Sequence, residues 1–299
     1  MEKLPEEDKY KLSLANSIWF TDEESFTVNE GFLQINADYY GAGIYRTPFD
    51  DTTCRQINDW VADNTDGMIK NILDEIPDSA VMYLINALAF DAEWQNIYKE
   101  WEIRDGTFTK EDGTEQDVEL MYSSEYKYLE DEHATGFMKY YADRKYAFAA
   151  LLPEEGVSVA EYAASLDGEQ LHSLFSGVQN TAVDAAIPKF ETEYKVEMSD
   201  LLADMGMTDA FTSAADFTKL GQSTDGYIKI NRVIHQTFIS LDEKGTKAGA
   251  ATIVEATTES AAEPVEAKKV ILDRPFVYML LDCETNIPFF IGTMMDMEG

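Results

Sequence analysis

The sequence predicts an α+β fold in which helices and strands come in separate blocks and one long loop is left exposed. Three observations carry this. Helical and extended patterns follow one another in blocks, not as a repeating βαβ unit, and no internal repeat is present. Residues 81–90, Val-Met-Tyr-Leu-Ile-Asn-Ala-Leu-Ala-Phe, form a nearly continuous apolar run, which predicts a central strand covered on both faces. The stretch from Gly245 to Val270 has no strong element of its own, and loops of that length within a compact domain are functional or disordered.

In chain order, residues 12–20 alternate as a strand and 29–40 read as a helix. Residues 54–76 read as a second helical stretch, with Trp60, Met68, Ile69, Ile72 and Leu73 near 3.6-residue spacing. Glu111-Asp112-Gly113 and Thr224-Asp225-Gly226 predict hairpin turns. Residues 157–178 and 199–211 read as helical again, and 227–241 and 275–295 supply late strands.

The loop carries a pattern of its own. Counted in twos from Thr246, one face holds Thr246, Ala248, Ala250, Thr252, Val254, Ala256 and Thr258, all small and uncharged, while the other holds Lys247, Glu255 and Glu259. A strand with that alternation enters a sheet over a packed core without burying a charge, yet the Gly, Ala, Thr and Glu composition also suits an exposed loop. The segment therefore fits two conformations.

Composition excludes several partners. The chain has 57 acidic and 23 basic residues, a formal net charge of -34, which repels nucleic acid and anionic surfaces at long range. Two cysteines, Cys54 and Cys283, make no disulfide framework in 299 residues. The first nine residues are charged where a signal peptide needs an apolar run of ~7 to 15, and no window approaches a membrane span. Catalytic readings are weak as well. His133, His172 and His235 stand in no nucleophile or metalloprotease motif, lone cysteines are most often core residues, and no Cys/His cluster has metal-ligand spacing, so no catalytic residue, metal or cofactor is expected.

The stretch Glu243-Lys244-Gly245-Thr246 followed by the loop and Asp273-Arg274-Pro275-Phe276 resembles the serpins, the serine protease inhibitor family, in its bacterial form. The resemblance runs along the whole chain. Ile57-Asn58-Asp59-Trp60-Val61 and Thr65-Asp66-Gly67-Met68-Ile69 look like the serpin helix that crosses the front of the main sheet, and Asn86, Trp94, Ile187-Pro188-Lys189-Phe190, His235 and Pro288-Phe289-Phe290-Ile291-Gly292 follow in the family's order. It implies one serpin domain over residues 1–299, lacking the N-terminal part of the fold, with large mixed and antiparallel β-sheets surrounded by helices and a reactive-centre loop at about residues 243–270. The first strand already matches an internal strand of the family, so the chain is read as starting inside the fold, and an extracellular or cell-surface location is expected from the family alone.

The resemblance also implies roles. Asn86 and His235 match the shutter, where an asparagine and a histidine hydrogen-bond beneath the main sheet; the bland alternative is a satisfied core histidine. Trp94, Lys189 and Glu243 match the breach at the top of that sheet, the alternative being unrelated surface charges. Gly245, Thr246, Ala248, Ala250 and Thr252 match the hinge, and the family's interval from Glu243 places the reactive bond at Glu259-Ser260, with Thr258 the nearest alternative. No Lys or Arg lies between Lys247 and Lys268, which favours an elastase-like over a trypsin-like target. The expected function is therefore an inhibitory, monomeric serpin that traps a serine protease. The alternatives are a non-inhibitory serpin-fold binding protein or an inactive fragment.

Overall fold

In a computed structural model of the chain, residues 10–246 and 267–297 are described. The strands and helices, in order, are β1 (Tyr10–Thr21), β2 (Phe26–Val28), α1 (Glu30–Tyr40), β3 (Gly43–Thr47), α2 (Asp51–Asn64), β4 (Met82–Glu93), β5 (Ile103–Thr109), β6 (Glu115–Glu125), β7 (Tyr128–Glu130), β8 (Ala134–Tyr140) and β9 (Tyr146–Pro153). They continue as α3 (Val159–Ser165), α4 (Gly168–Ser176), β10 (Val183–Pro188), β11 (Phe190–Glu197), α5 (Ser199–Asp204), β12 (Gly221–Ser223), β13 (Ile234–Leu241), β14 (Gly245–Thr246), β15 (Lys268–Ile271), β16 (Phe276–Asp282) and β17 (Ile287–Met294). Packing divides them into two units, Leu12–Phe90 with Glu193–Ile239, and Asp91–Thr192 with the residues from Ser240 onward. Strands β1, β4, β11 and β13 contribute residues to both, the second unit also taking in Tyr10 and Lys11.

In the first of these units β1 pairs in parallel with β3, Ser17 opposite Gly43 through Thr21 opposite Thr47, and β4 lies on the other side of β1. Helix α2 starts where Asp50 Oδ1 accepts from the amides of Thr52 and Thr53, satisfying two of the donors a helix start leaves open. Its buried stripe, Cys54, Ile57 and Val61, packs with Trp19, Ile69, Leu73 and Ile85. The helix ends at Asn64 and does not run on to Ile76, because Asp66 and Gly67 turn left-handed at φ 50° and 73°. Ile69 and Leu73 reach the core from an irregular segment instead. Asn58 holds that segment: its Oδ1 accepts from the amides of Ile72 and Leu73 at 2.9 and 3.0 Å, and its Nδ2 donates to the Leu73 carbonyl at 2.8 Å.

Three further sequence expectations change. Strand β4 buries Ile85 and Ala87 but exposes Leu84 and Asn86, so the apolar run is covered on one face there, not both. Residues 157–178 divide into α3 and α4 because Asp167 caps a new helix, accepting from the Gln170 amide while Gln170 accepts in return. Thr224-Asp225-Gly226 closes no hairpin between neighbouring strands, since β12 pairs back to β2, and regular strand resumes only at Ile234. Helix α1, by contrast, fills the expected span, capped by Asn29 at its start and by left-handed Gly41 at its end.

The second unit holds a four-stranded sheet, β15-β10-β6-β5, and a five-stranded sheet, β17-β16-β9-β8-β7. Every residue of β9 is buried, and α3 and α4 lay Val159, Tyr162, Leu174 and Phe175 over Ala147, Ala149, Leu151, Val277, Met279 and Leu281. Gly136 on β8 is required by the close approach of β9, where a Cβ would stand 2.1 Å from the Ala150 carbonyl oxygen. The Glu111-Asp112-Gly113 turn joins β5 to β6 as expected. Of the loop, residues 243–246 and 267–270 lie within the described part: its end is no loop but β15, paired in parallel with β10, and its start, β14, pairs with β4 on one side and β13 on the other, Thr246 opposite both Ala92 and Leu241.

Candidate functional site at the start of the loop

Lys189 follows β10, and Glu243 follows β13. The structure brings their side chains together, Nζ to Oε2 at 3.0 Å, with Glu119 of β6 a second carboxylate 3.4 Å from the same ammonium. The two partners are a quarter to a third exposed, so the pair is only partly screened by water. Its own backbone amide and Lys189 hold the Glu243 carboxyl below the usual range; burial by itself would lower the Lys189 pKa, but Glu243 and Glu119 raise it. Both stay charged across the neutral range.

Trp94 is fully buried beside this pair. Its indole N–H donates to the Asp242 carbonyl at 2.9 Å and its amide to the Lys244 carbonyl at 2.7 Å, while the Tyr98 amide donates to the carbonyl of Glu243 at 2.9 Å. Three consecutive carbonyls at the end of β13 are thus held. Asp242 Oδ1 also accepts from the amides of Lys244 and Gly245, at 2.7 and 3.1 Å, which closes the turn. Gly245 is the one residue type that fits here, because a Cβ would lie 1.9 Å from the Ala92 carbonyl oxygen. Thr246 comes next, 3% exposed, its hydroxyl 2.6 Å from that of Tyr141. Tyr141 stacks on Trp94 at 4.5 Å, and Phe148 meets the indole edge-on.

Trp94, Lys189, Glu243, Gly245 and Thr246 therefore converge. Asn86 and His235 do not: each is exposed, Asn86 donates to Asn16 Oδ1 at 2.8 Å, and Asn16 donates to the Tyr40 carbonyl. No hydrogen bond joins the asparagine to the histidine among the described residues. The strand face of His235 fades from Leu241 and Ile239, both buried, through half-buried Thr237 to the exposed imidazole, so the expected burial over a core stops short of it. Ala248, Ala250, Thr252 and the Glu259-Ser260 bond lie outside the described residues. Sequence reasoning missed Glu119, Asp242, Tyr98 and Tyr141. Asp242, two residues before Lys244 and three before Gly245, had a turn-forming signal; the others come from remote strands and had none.

A family model for serpins, the serine protease inhibitors, matches residues 1–297. The chain belongs to the serpin family. An uncharacterized serpin-like protein of Thermococcus kodakarensis is 29% identical over 297 residues, which is 98% of this chain and 68% of the relative. The native-state structure of tengpin, a thermophilic serpin, superposes with a TM-score of 0.90 at 48% identity, covering 99% of this serpin and 76% of tengpin. Human thyroxine-binding globulin in complex with thyroxine shares the fold at a TM-score of 0.84 and 23% identity, over 99% of this chain and 77% of that one. The serpin fold is α+β here as expected, mixed sheets with helices against them. Among the described residues no helix is long and apolar enough to cross a membrane, and no cluster of His, Cys, Asp and Glu is arranged to hold a metal ion.

Proposed function

We propose that this serpin is inhibitory: a single domain over residues 1–299 that traps a serine protease as a covalent acyl-enzyme. One observation carries the reading. Thr246 is buried in a two-residue strand between β4 and β13, so the slot that an inserting loop must enter is already begun, and the residues that follow it in steps of two, Ala248, Ala250 and Thr252, are small enough to continue it. Loop insertion in serpins is the established example of strand addition to a sheet.

A target protease takes the loop as substrate, its nucleophile attacks the scissile carbonyl through an oxyanion intermediate, and the amine leaves with the C-terminal segment. Cleavage at Glu259-Ser260 releases the hinge. Insertion from Thr246 onward then drags the acylated protease away and pulls its oxyanion donors out of register, which slows deacylation by orders of magnitude. The Lys189–Glu243 pair, with Trp94, acts as the gate at the point of insertion. Small residues about the bond favour an elastase-like target, and the high acidity favours neutral or cationic protein partners. We place the protein outside the cell or at its surface, as a monomer, on the strength of family membership.

The non-inhibitory reading, a serpin-fold binding protein, is favoured by the likeness to thyroxine-binding globulin, which is a likeness of fold. A small hydroxyl at Thr246 weighs against it, since a hinge that never inserts has no need of small inward residues. Incubation of the protein with a panel of serine proteases decides between them. An SDS-stable complex, with a released peptide beginning at Ser260, is the expected result; cleavage without complex overturns the inhibitory reading.

A further inference from the structure

Strand β8 is apolar along its buried length except at Lys139, which is 2% exposed. The ammonium donates to Glu125 Oε1 at 2.9 Å, and that oxygen also accepts from the Ser123 hydroxyl at 2.7 Å. A buried ion pair adds little net stability over apolar residues of similar volume, because desolvation of both charges offsets their attraction. The position of this cation suggests another use. Lys139 Nζ stands over two aromatic rings, 4.2 Å from the centroid of Tyr98 and 5.4 Å from that of Trp94. A desolvated cation on a ring face is attracted to it, and restrains it.

Both of those rings belong to residues that hold the end of β13. Tyr98 binds the carbonyl of Glu243 through its amide; Trp94 binds those of Asp242 and Lys244 through its indole and its amide. Trp94 also stacks on Tyr141, whose hydroxyl meets Thr246. Burial by itself would lower the Lys139 pKa, but the Tyr98 phenol and Glu125 carboxylate beside it raise it, so the group stays charged. We propose that Lys139 is a positioning residue for the hinge, fixing the Tyr98 and Trp94 rings and through them the turn at Asp242–Lys244 and the buried seat of Thr246. Where the loop inserts, that seat sets how readily the following residues zip into the sheet. This second clause rests on the inhibitory reading; the positioning role does not.

The test is amide hydrogen exchange over residues 242–246 in the full chain, read beside protease trapping. In Lys139→Met with Glu125→Gln the buried charges are removed together, so a merely structural ion pair is replaced without leaving an orphan. That pair of changes is expected to leave the melting temperature near that of the parent while exchange at the turn speeds roughly tenfold. The share of encounters ending in simple loop cleavage is expected to rise with it. Lys139→Arg keeps a cation over both rings and is expected to exchange as the parent does. Unchanged exchange in the double variant, or exchange in Lys139→Arg as fast as in the double variant, overturns the proposal; if the double variant fails to fold, Lys139→Arg is read against the parent, where exchange roughly tenfold faster overturns the proposal and parent-like exchange supports it. An absence of trapping by the parent chain, with the exchange result intact, sinks the inhibitory reading and leaves the positioning role standing.

Discussion

Thr246 shows how much one side chain carries at the start of the loop. Its hydroxyl meets a phenol whose pKa burial raises, so Tyr141 stays neutral and the two hydroxyls share one hydrogen bond. Thr246→Val keeps the shape and removes the bond, which is expected to cost about 1 kcal/mol and lower the melting temperature by about 2 °C. Thr246→Arg is different in kind. It forces a charge into a site that is almost fully buried, and on the inhibitory reading the variant is expected to be cleaved as a substrate without complex formation; undiminished trapping by that variant ends the role assigned to the residue.

The Lys189–Glu243 ion pair adds a pH dependence. Glu243 has its folded pKa below 4.5, so its contribution is complete above that ordinary value and is lost as pH falls through the depressed one; Lys189, raised above 10.5, contributes fully below its ordinary value and loses that only at more alkaline pH. Both are therefore in place throughout the neutral range. Thermal unfolding of the parent and of Glu243→Gln, followed from about pH 6 down to about pH 3, is expected to show a stability difference that shrinks towards the acid end. A difference constant across that range removes the ion pair as a contributor.

At the scale of elements, helix α2 and the segment behind it form one device. The helix has a strong start at Asp50 and a sharp stop at Asp66-Gly67, and the chain then runs back with no regular structure of its own. Asn58 supplies the three hydrogen bonds that this irregular backbone lacks. Asn58→Ala is expected to destabilise the protein by about 2 kcal/mol in urea unfolding, with faster exchange at Ile72 and Leu73, because buried backbone groups lose their partners. A loss within experimental error shows that water takes the place of the amide.

For the whole molecule the inhibitory reading demands that the intact loop be held away from a more stable inserted arrangement by a kinetic barrier. Cutting the loop near Glu259 is expected to raise the melting temperature by about 10 °C or more, since residues from Thr246 onward gain a ladder of backbone hydrogen bonds of about 0.5–1.5 kcal/mol each and bury their small face. Unchanged or lower melting after the cut leaves the non-inhibitory protein or the inactive fragment as the better account. The same experiment bears on Asn86 and His235. They share no bond in this structure, so Asn86→Ala and His235→Ala are not expected to act as one latch.

What was legible in the sequence was local or periodic. The span of α1, the Glu111-Asp112-Gly113 turn and the late strands β16 and β17 follow from residue chemistry over a few positions. The order of motifs placed Trp94, Lys189 and Glu243 at one site, and the structure brings them together. Period alone misled over residues 54–76, where 3.6-residue spacing continued past a helix stop already written in Asp66-Gly67. It misled again at Leu84 and Asn86, since an apolar run shows that a strand has two apolar faces and not what lies against each. Glu119, Tyr98, Tyr141 and Lys139 were out of reach for a plainer reason: they come from β6, β8 and the segments that flank β8 and precede β5, and are neighbours only because strand pairing and packing carry separate stretches of chain to one place. Sequence periodicity reports which way a side chain faces; only the packed sheets decide what it meets.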